Sequence, residues 1–192
     1  MSIRALLGFI AVFLTFAGYV PYIRDILRGK TQPHPYSWLL GGVLTAIAFA
    51  LQLSGDAGTG AFATLAASIL CWVVLGLSFY KKVKFDIAPM DTIFFVMALI
   101  SLVLWLVAKQ PVLSIILTTL TDVLGFIPTV RKSWNRPFTE TLSSYWMNTG
   151  RFGLVLLSLE RFSMLSALYP FTWFLGNGLF SVMLMVRRKQ VK

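Results

Sequence analysis

One short string is written twice in this chain. Residues 18–24 read GYVPYIR and residues 125–131 read GFIPTVR. Each copy closes an apolar stretch and opens a basic one. Each basic stretch then leads into a further apolar stretch holding a tryptophan, SWLLGG from Ser37 and YWMNTG from Tyr145. A repeat of this period in so apolar a chain means one membrane unit used twice. Two copies of one unit pack about an axis, and a site is expected where they meet.

Composition decides that the unit is a membrane unit. Charged residues make up 12% of the chain and hydrophobic ones 57%, whereas a soluble domain carries about 25% charged residues. Too few charges remain to cover a water-facing surface, so most of the surface is expected to face lipid. The net charge of +10 does not indicate nucleic acid, because the basic residues fall in the gaps between apolar runs, as membrane orientation requires. The single cysteine, Cys71, excludes an internal disulfide and lies inside an apolar run.

A spanning helix needs roughly 20 mostly apolar residues. On that criterion the sequence predicts seven helices, at 3–23, 36–54, 59–80, 92–108, 111–130, 143–159 and 163–186, the fourth and sixth being short. Thirteen of the seventeen lysines and arginines lie in four segments: after helix 1 (Arg24, Arg28, Lys30), after helix 3 (Lys81, Lys82, Lys84), after helix 5 (Arg131, Lys132, Arg136) and in the tail (Arg187, Arg188, Lys189, Lys192). An odd number of spans puts all four on one side, with Arg4, Lys109 and Arg161 opposite. Positive-inside then places the N-terminus outside and the C-terminus in the cytoplasm of a multi-pass cell-membrane protein. The first apolar stretch also has features of a cleaved signal peptide, but its ending recurs in mid-chain, which favours a retained helix.

The fold class expected is an all-α membrane bundle of two parallel three-helix repeats, residues 1–85 and 110–192, joined by a linker helix in 86–109. Parallel copies need that odd helix, since three helices alone would invert the second copy.

Two ionisable residues lie within spans: Asp122 in helix 5 and Arg151 in helix 6. Buried charge at mid-helix costs at least about 2.5–3.5 kcal/mol and faces the bundle interior, usually with a partner. Each lies eight residues from the basic end of its helix, or about 12 Å deep at 1.5 Å per residue. Equal depth lets them meet as an ion pair. That pair reads either as a proton-coupling site on Asp122 or as a static lock between helices 5 and 6. Asn177 shares the layer, and Asn148 lies one turn from Arg151. Across the repeat, Thr15 corresponds to Asp122, Val43 to Arg151 and Cys71 to Asn177. Polar groups thus concentrate in the second copy. Tyr19, Trp38, Tyr145, Trp146 and Trp173 are expected chiefly as interfacial belt or packing, and Gln52 as a cap near the outer end of helix 2. Pro21 and Pro128 occupy equivalent positions, where each reads equally as a hinge or as a helix end. No metal-ligand spacing, catalytic triad or phosphate loop is present. GDAGTG at 55–60 lacks the following lysine of a nucleotide loop.

The segments GYVPYIRDILRGKTQPHPYSW and GFIPTVRKSWNRPFTETLSSYW, together with the three-one-three layout, resemble the SWEET / PQ-loop transporter superfamily over nearly the whole chain. Both motif prolines stand, as Pro21 and Pro128, while Tyr22 and Thr129 replace the motif glutamines. The resemblance implies alternating access and a ring of prolines completed by Pro35 and Pro137. It also implies a substrate-contacting Asn at the level of Asn177. Cys71 departs from that Asn in the first repeat. Arg151 stands where the family places a substrate-facing residue, often Trp, and would suit a carboxylate or another anion.

The function expected is transport of a small polar solute, a sugar or small anion, with Asn177, Arg151, Asn148, Cys71 and Thr15 at the substrate, Asp122 coupling protons, and Pro21 and Pro128 as hinges. The alternative is a non-transporting receptor or partner subunit binding a ligand on the same fold. One carboxylate and no nucleophile in the layer argue against an enzyme. No cofactor, metal or nucleic acid is implied, and the protein could work as a monomer or a homo-oligomer.

Overall fold

The computed structural model describes residues 2–31, 33, 35–82 and 89–191, with the backbone alone at Asp91, Pro128, Arg131 and Lys132. Lys84, Lys192, the 85–86 junction and the side chain of Pro128 lie outside the described residues. Seven α-helices and no strand occur among these residues: α1 Ile3–Leu27, α2 Pro35–Ser54, α3 Ala61–Tyr80, α4 Pro89–Leu106, α5 Pro111–Asn135, α6 Leu142–Ser158 and α7 Met164–Gln190. Two 3-10 turns, Gly58–Gly60 and Pro137–Thr139, precede α3 and α6.

Local chemistry sets the helix starts. Pro35, Pro89 and Pro111 open α2, α4 and α5, at a position where a missing N–H costs nothing. The Ser2 hydroxyl accepts from the Ala5 N–H at the start of α1, and Ser163 with Ser166 forms a capping box at the start of α7. α1, α5 and α7 all run about a turn past their expected ends. Arg and Lys are good helix formers, so the first basic residues continue the helix. Pro21 therefore lies inside α1 rather than at its end. α1 stops only where Gly29 takes φ 71 and donates its N–H to the Ile26 carbonyl.

Among the described residues, four segments can cross a membrane by length and composition: Ile3–Leu27, Pro35–Ser54, Gly58–Tyr80 and Met164–Gln190. Shorter apolar stretches occur at Thr92–Leu106 and Pro111–Ile127. α6 has 17 residues and carries Asn148 and Arg151, and this interior polarity lowers its hydropathy. The outer surface is apolar, with Phe9, Phe13, Val20, Phe79, Val107, Leu157 and Leu179 all exposed. Such a continuous apolar surface suits lipid rather than water.

Helix packing repeats itself. α3 packs against both α1 and α2, and α7 against both α5 and α6. Ala11 clusters with Ala63, and Tyr19 meets Cys71, so α1 and α3 run parallel. Asp122 meets Tyr169 and Phe126 meets Phe180, so α5 and α7 also run parallel. The triplets join through α1 on α6, the most extensive helix contact, and through α2 on α5. α4 lies against α5 and α2. It is clamped to α5 by the Ser114 hydroxyl on the Ser101 carbonyl (2.7 Å), the Ser101 hydroxyl on the Ser114 carbonyl (2.9 Å) and a Ser101–Thr118 contact.

The basic segments gather at one end. The Lys81 ammonium donates to the Leu27 carbonyl, Thr141 to Asp25, Arg187 to the Trp134 carbonyl and Arg188 to the Pro137 and Glu140 carbonyls. At the opposite end Arg4 donates to the Glu160 carbonyl, and Arg161 pairs with Asp56. There the Gly58–Gly60 turn packs against α1, α3 and α6. The Thr59 hydroxyl lies against Gly8 and the Ser158 hydroxyl against Gly60, so closely that neither glycine has room for a Cβ.

Candidate functional site

Six helices bring polar and aromatic stripes, and α4 the single ring of Phe94, onto a cavity of about 250 Å³. α1 contributes Tyr19 and Tyr22, α2 Trp38, Gly41 and Thr45, and α3 Ala67 and Cys71. α5 adds Asp122, Phe126 and Thr129, α6 adds Tyr145, Asn148 and Arg151, and α7 adds Tyr169, Trp173 and Asn177. Along each helix these positions recur every three or four residues, the spacing of one helical face. Tyr22, Tyr36 and Glu140 extend the lining toward the basic end. No residue of the Gly58–Gly60 turn takes part in it.

Asp122 is held by α7. Its Oδ2 accepts from the Tyr169 hydroxyl at 2.8 Å and from Trp173 Nε1 at 2.9 Å. No described hydrogen bond reaches Oδ1. The Tyr169 hydroxyl also lies 3.5 Å from the Thr45 hydroxyl of α2, which donates to the Gly41 carbonyl at 2.5 Å. Trp173 belongs to an aromatic array, edge-on to Phe126 at 5.3 Å, with Phe180 4.9 Å beyond and Tyr145 4.6 Å from Phe180.

Arg151 is 4% exposed. Its Nη1 donates to the Ala63 carbonyl at 3.2 Å, and its guanidinium carbon sits 3.9 Å over the Phe152 ring. Its Nε is buried with no hydrogen-bond partner among the described residues. The expected pair with Asp122 is not formed: no ion pair among the described residues joins the two. The reason is lateral order. α6 packs mainly on α1 and α7, and α5 on α4, α7 and α2, while α5 and α6 meet at the Phe126–Tyr145 rings, 6.2 Å apart, so equal depth does not bring the two charges together. Two rings connect the charges instead, Phe152 and Tyr169, with centroids 6.3 Å apart.

The other expected site residues divide. Asn148, Cys71 and Asn177 line the cavity. The Asn177 Nδ2 donates to the Trp173 carbonyl in its own helix at 2.7 Å, and the Cys71 sulfur lies 3.7 Å from the Tyr19 hydroxyl. Thr15 is not brought to the cavity lining: it is fully buried and donates to the Ala11 carbonyl of its own helix at 2.8 Å. Four of the aromatics read as belt or packing, Tyr19, Trp38, Tyr145 and Trp173, line the cavity, while Trp146 is exposed. Gln52, expected as a cap near the outer end of helix 2, is wholly buried, and neither amide atom of its side chain has a partner among the described residues.

Tyr169 carries no charge that would mark it in an apolar run. Its signal was the spacing Tyr169, Trp173, Asn177, four residues apart on α7. At the offset that aligns Cys71 with Asn177, Tyr169 and Trp173 correspond to Ala63 and Ala67. The first repeat supplies small side chains where the second supplies donors, and Arg151 reaches a backbone carbonyl past one of them. No family model, curated protein or solved structure matches this chain.

Proposed function

We propose that this chain is a membrane transporter of a small polar solute, working by alternating access as a divergent seven-span relative of the SWEET / PQ-loop superfamily. The observation that carries this reading is the cavity itself. It lies inside an apolar bundle, is lined from both helix triplets, and holds Asp122 and Arg151, which form no ion pair with each other among the described residues, with Glu140 nearer the basic end. Intramembrane charges of that kind mark solute or proton pathways. The matching contacts of α3 and α7 support two parallel repeats, with α4 as the linker. The basic end would be cytoplasmic by the positive-inside rule, which places the N-terminus outside and the protein in the cell membrane.

In that orientation the cavity leans toward the cytoplasm, and the Gly58–Gly60 turn closes the outer end. The inner mouth is bridged across the triplets by the Thr141 hydroxyl on Asp25 (3.3 Å) and narrowed by Tyr22 against Trp38 (5.1 Å). Exchange of the two closures would carry a solute through. The test is flux of radiolabelled sugars and small carboxylates into proteoliposomes, with Arg151→Ala as control. Saturable flux that the variant loses is expected. Saturable binding without flux of any solute would replace transport with a receptor role.

A further inference from the structure

We propose that the cavity's ligand is a small zwitterion, its carboxylate on Arg151 and its ammonium at Asp122 among the rings of α5 and α7. This rests on the cavity being the solute site and narrows what that solute is. A guanidinium keeps its charge in proteins. Arg151 is buried with one neutral carbonyl, one ring face and an unpartnered Nε. A buried charge so poorly compensated is costly unless an anion completes it. Asp122 has the opposite need. Two neutral donors crowd one carboxylate oxygen and leave the other open. The Tyr169 and Trp173 rings carry its two donors, and Phe126 packs edge-on against Trp173, all three rings being on the α5 and α7 side of the cavity. A carboxylate flanked by aromatic rings is the environment that an alkylammonium group favours.

Asp122 and Arg151 share one cavity but form no ion pair with each other among the described residues, with the Phe152 and Tyr169 rings between them. A solute with both charges satisfies both at once. A plain anion would leave the carboxylate as it is, and a neutral sugar would leave both. Size agrees, because drug-sized ligands fill about 300–1,000 Å³, and about 250 Å³ suits a smaller solute.

The experiment is a binding titration of the purified full chain in detergent, read by tryptophan fluorescence, since Trp38 and Trp173 line the cavity. The probes are glycine, 3-aminopropanoate, 4-aminobutanoate and 5-aminopentanoate, which vary the charge separation, against butyrate, butylamine and glucose. At least one zwitterion is expected to bind about tenfold or more tightly than butyrate or butylamine, the factor a charge-assisted contact supplies. Arg151→Gln should cut zwitterion binding toward that of butylamine and spare butylamine itself. Asp122→Asn should cut it toward that of butyrate and spare butyrate. Circular dichroism and gel filtration identify folded variants, and Arg151→Lys serves if the glutamine form does not fold. Butyrate or glucose binding as well as every zwitterion, no zwitterion binding at all, or folded variants weakening all probes equally would each overturn the proposal. Glucose flux without zwitterion binding would sink it and leave transport standing. Zwitterion binding without flux would do the reverse.

Discussion

Asp122 and its two donors hold α5 to α7 through a single oxygen. Hydrogen bonds between membrane helices average about 0.6 kcal/mol, while bonds to charged groups reach about 1.5–3 kcal/mol. Removing the Tyr169 hydroxyl in Tyr169→Phe is expected to fall between, near 1 kcal/mol, because the ring stays and Trp173 still donates. Thr45→Val should cost less, since the Thr45 hydroxyl is spent mainly on its own helix at Gly41. Thermal unfolding in detergent orders the two; a larger loss for Thr45→Val would mean that the Tyr169–Asp122 bond contributes little. At this scale the sequence was half legible. Charge inside an apolar run singled out Asp122 and Arg151 because burying it is expensive. It said nothing of Tyr169, whose hydroxyl is an ordinary polar tip until a carboxylate stands 2.8 Å away. Thr15 misled for the opposite reason. A hydroxyl can satisfy itself on its own helix, and repeat alignment alone does not tell it from a solute-facing one.

Helices were the most legible level, and their starts more than their ends. Prolines mark the starts of α2, α4 and α5, whereas basic residues do not stop a helix, so α1, α5 and α7 overran. The closures between elements depend on glycines that no hydropathy profile distinguishes. A Cβ on Gly60 would lie 3.2 Å from the Val155 carbonyl and closer still to the Ser158 hydroxyl. Gly60→Ala must therefore push the Gly58–Gly60 turn off α6, and overpacking of this kind costs about 1–3 kcal/mol. Gly76, on α3, has nothing within 4 Å of its would-be Cβ. Gly76→Ala should be neutral or stabilising by up to about 1 kcal/mol, through helix propensity. Melting temperatures of the two variants in detergent check the contrast. Equal shifts would mean that the turn does not seat against α6 as described. Pro21 makes a second prediction at this scale. It lies inside α1 and deprives that helix of one backbone bond. Pro21→Ala should raise the melting temperature, since a helix-interior proline costs about 3 kcal/mol relative to alanine. If α1 bends during transport, the same variant should slow flux; unchanged flux would remove the hinge role.

For the molecule as a whole, sequence reasoning works along the membrane normal and fails within the membrane plane. Hydropathy and charge order residues by depth, so Asp122 and Arg151 were placed in one layer. Which helix adjoins which depends on lateral packing, and α5 and α6 pack mainly on other helices, meeting at the Phe126–Tyr145 rings rather than at the two charges. The same packing carries the cavity lining to the basic end through Tyr22, Tyr36 and Glu140, while no residue of the Gly58–Gly60 turn lines it at the other. Cys71 can report that sidedness, because it is the chain's single cysteine and lines the cavity. A membrane-impermeant thiol reagent should label it several-fold faster from the basic end than from the end holding Arg4 and Arg161, since thiol reactivity follows access. Sealed vesicles of each orientation separate the two approaches, and a solute bound in the cavity should slow the faster one. Equal labelling from both ends would mean that the closure at the Gly58–Gly60 turn does not persist in the membrane, and alternating access would then lose its outer gate.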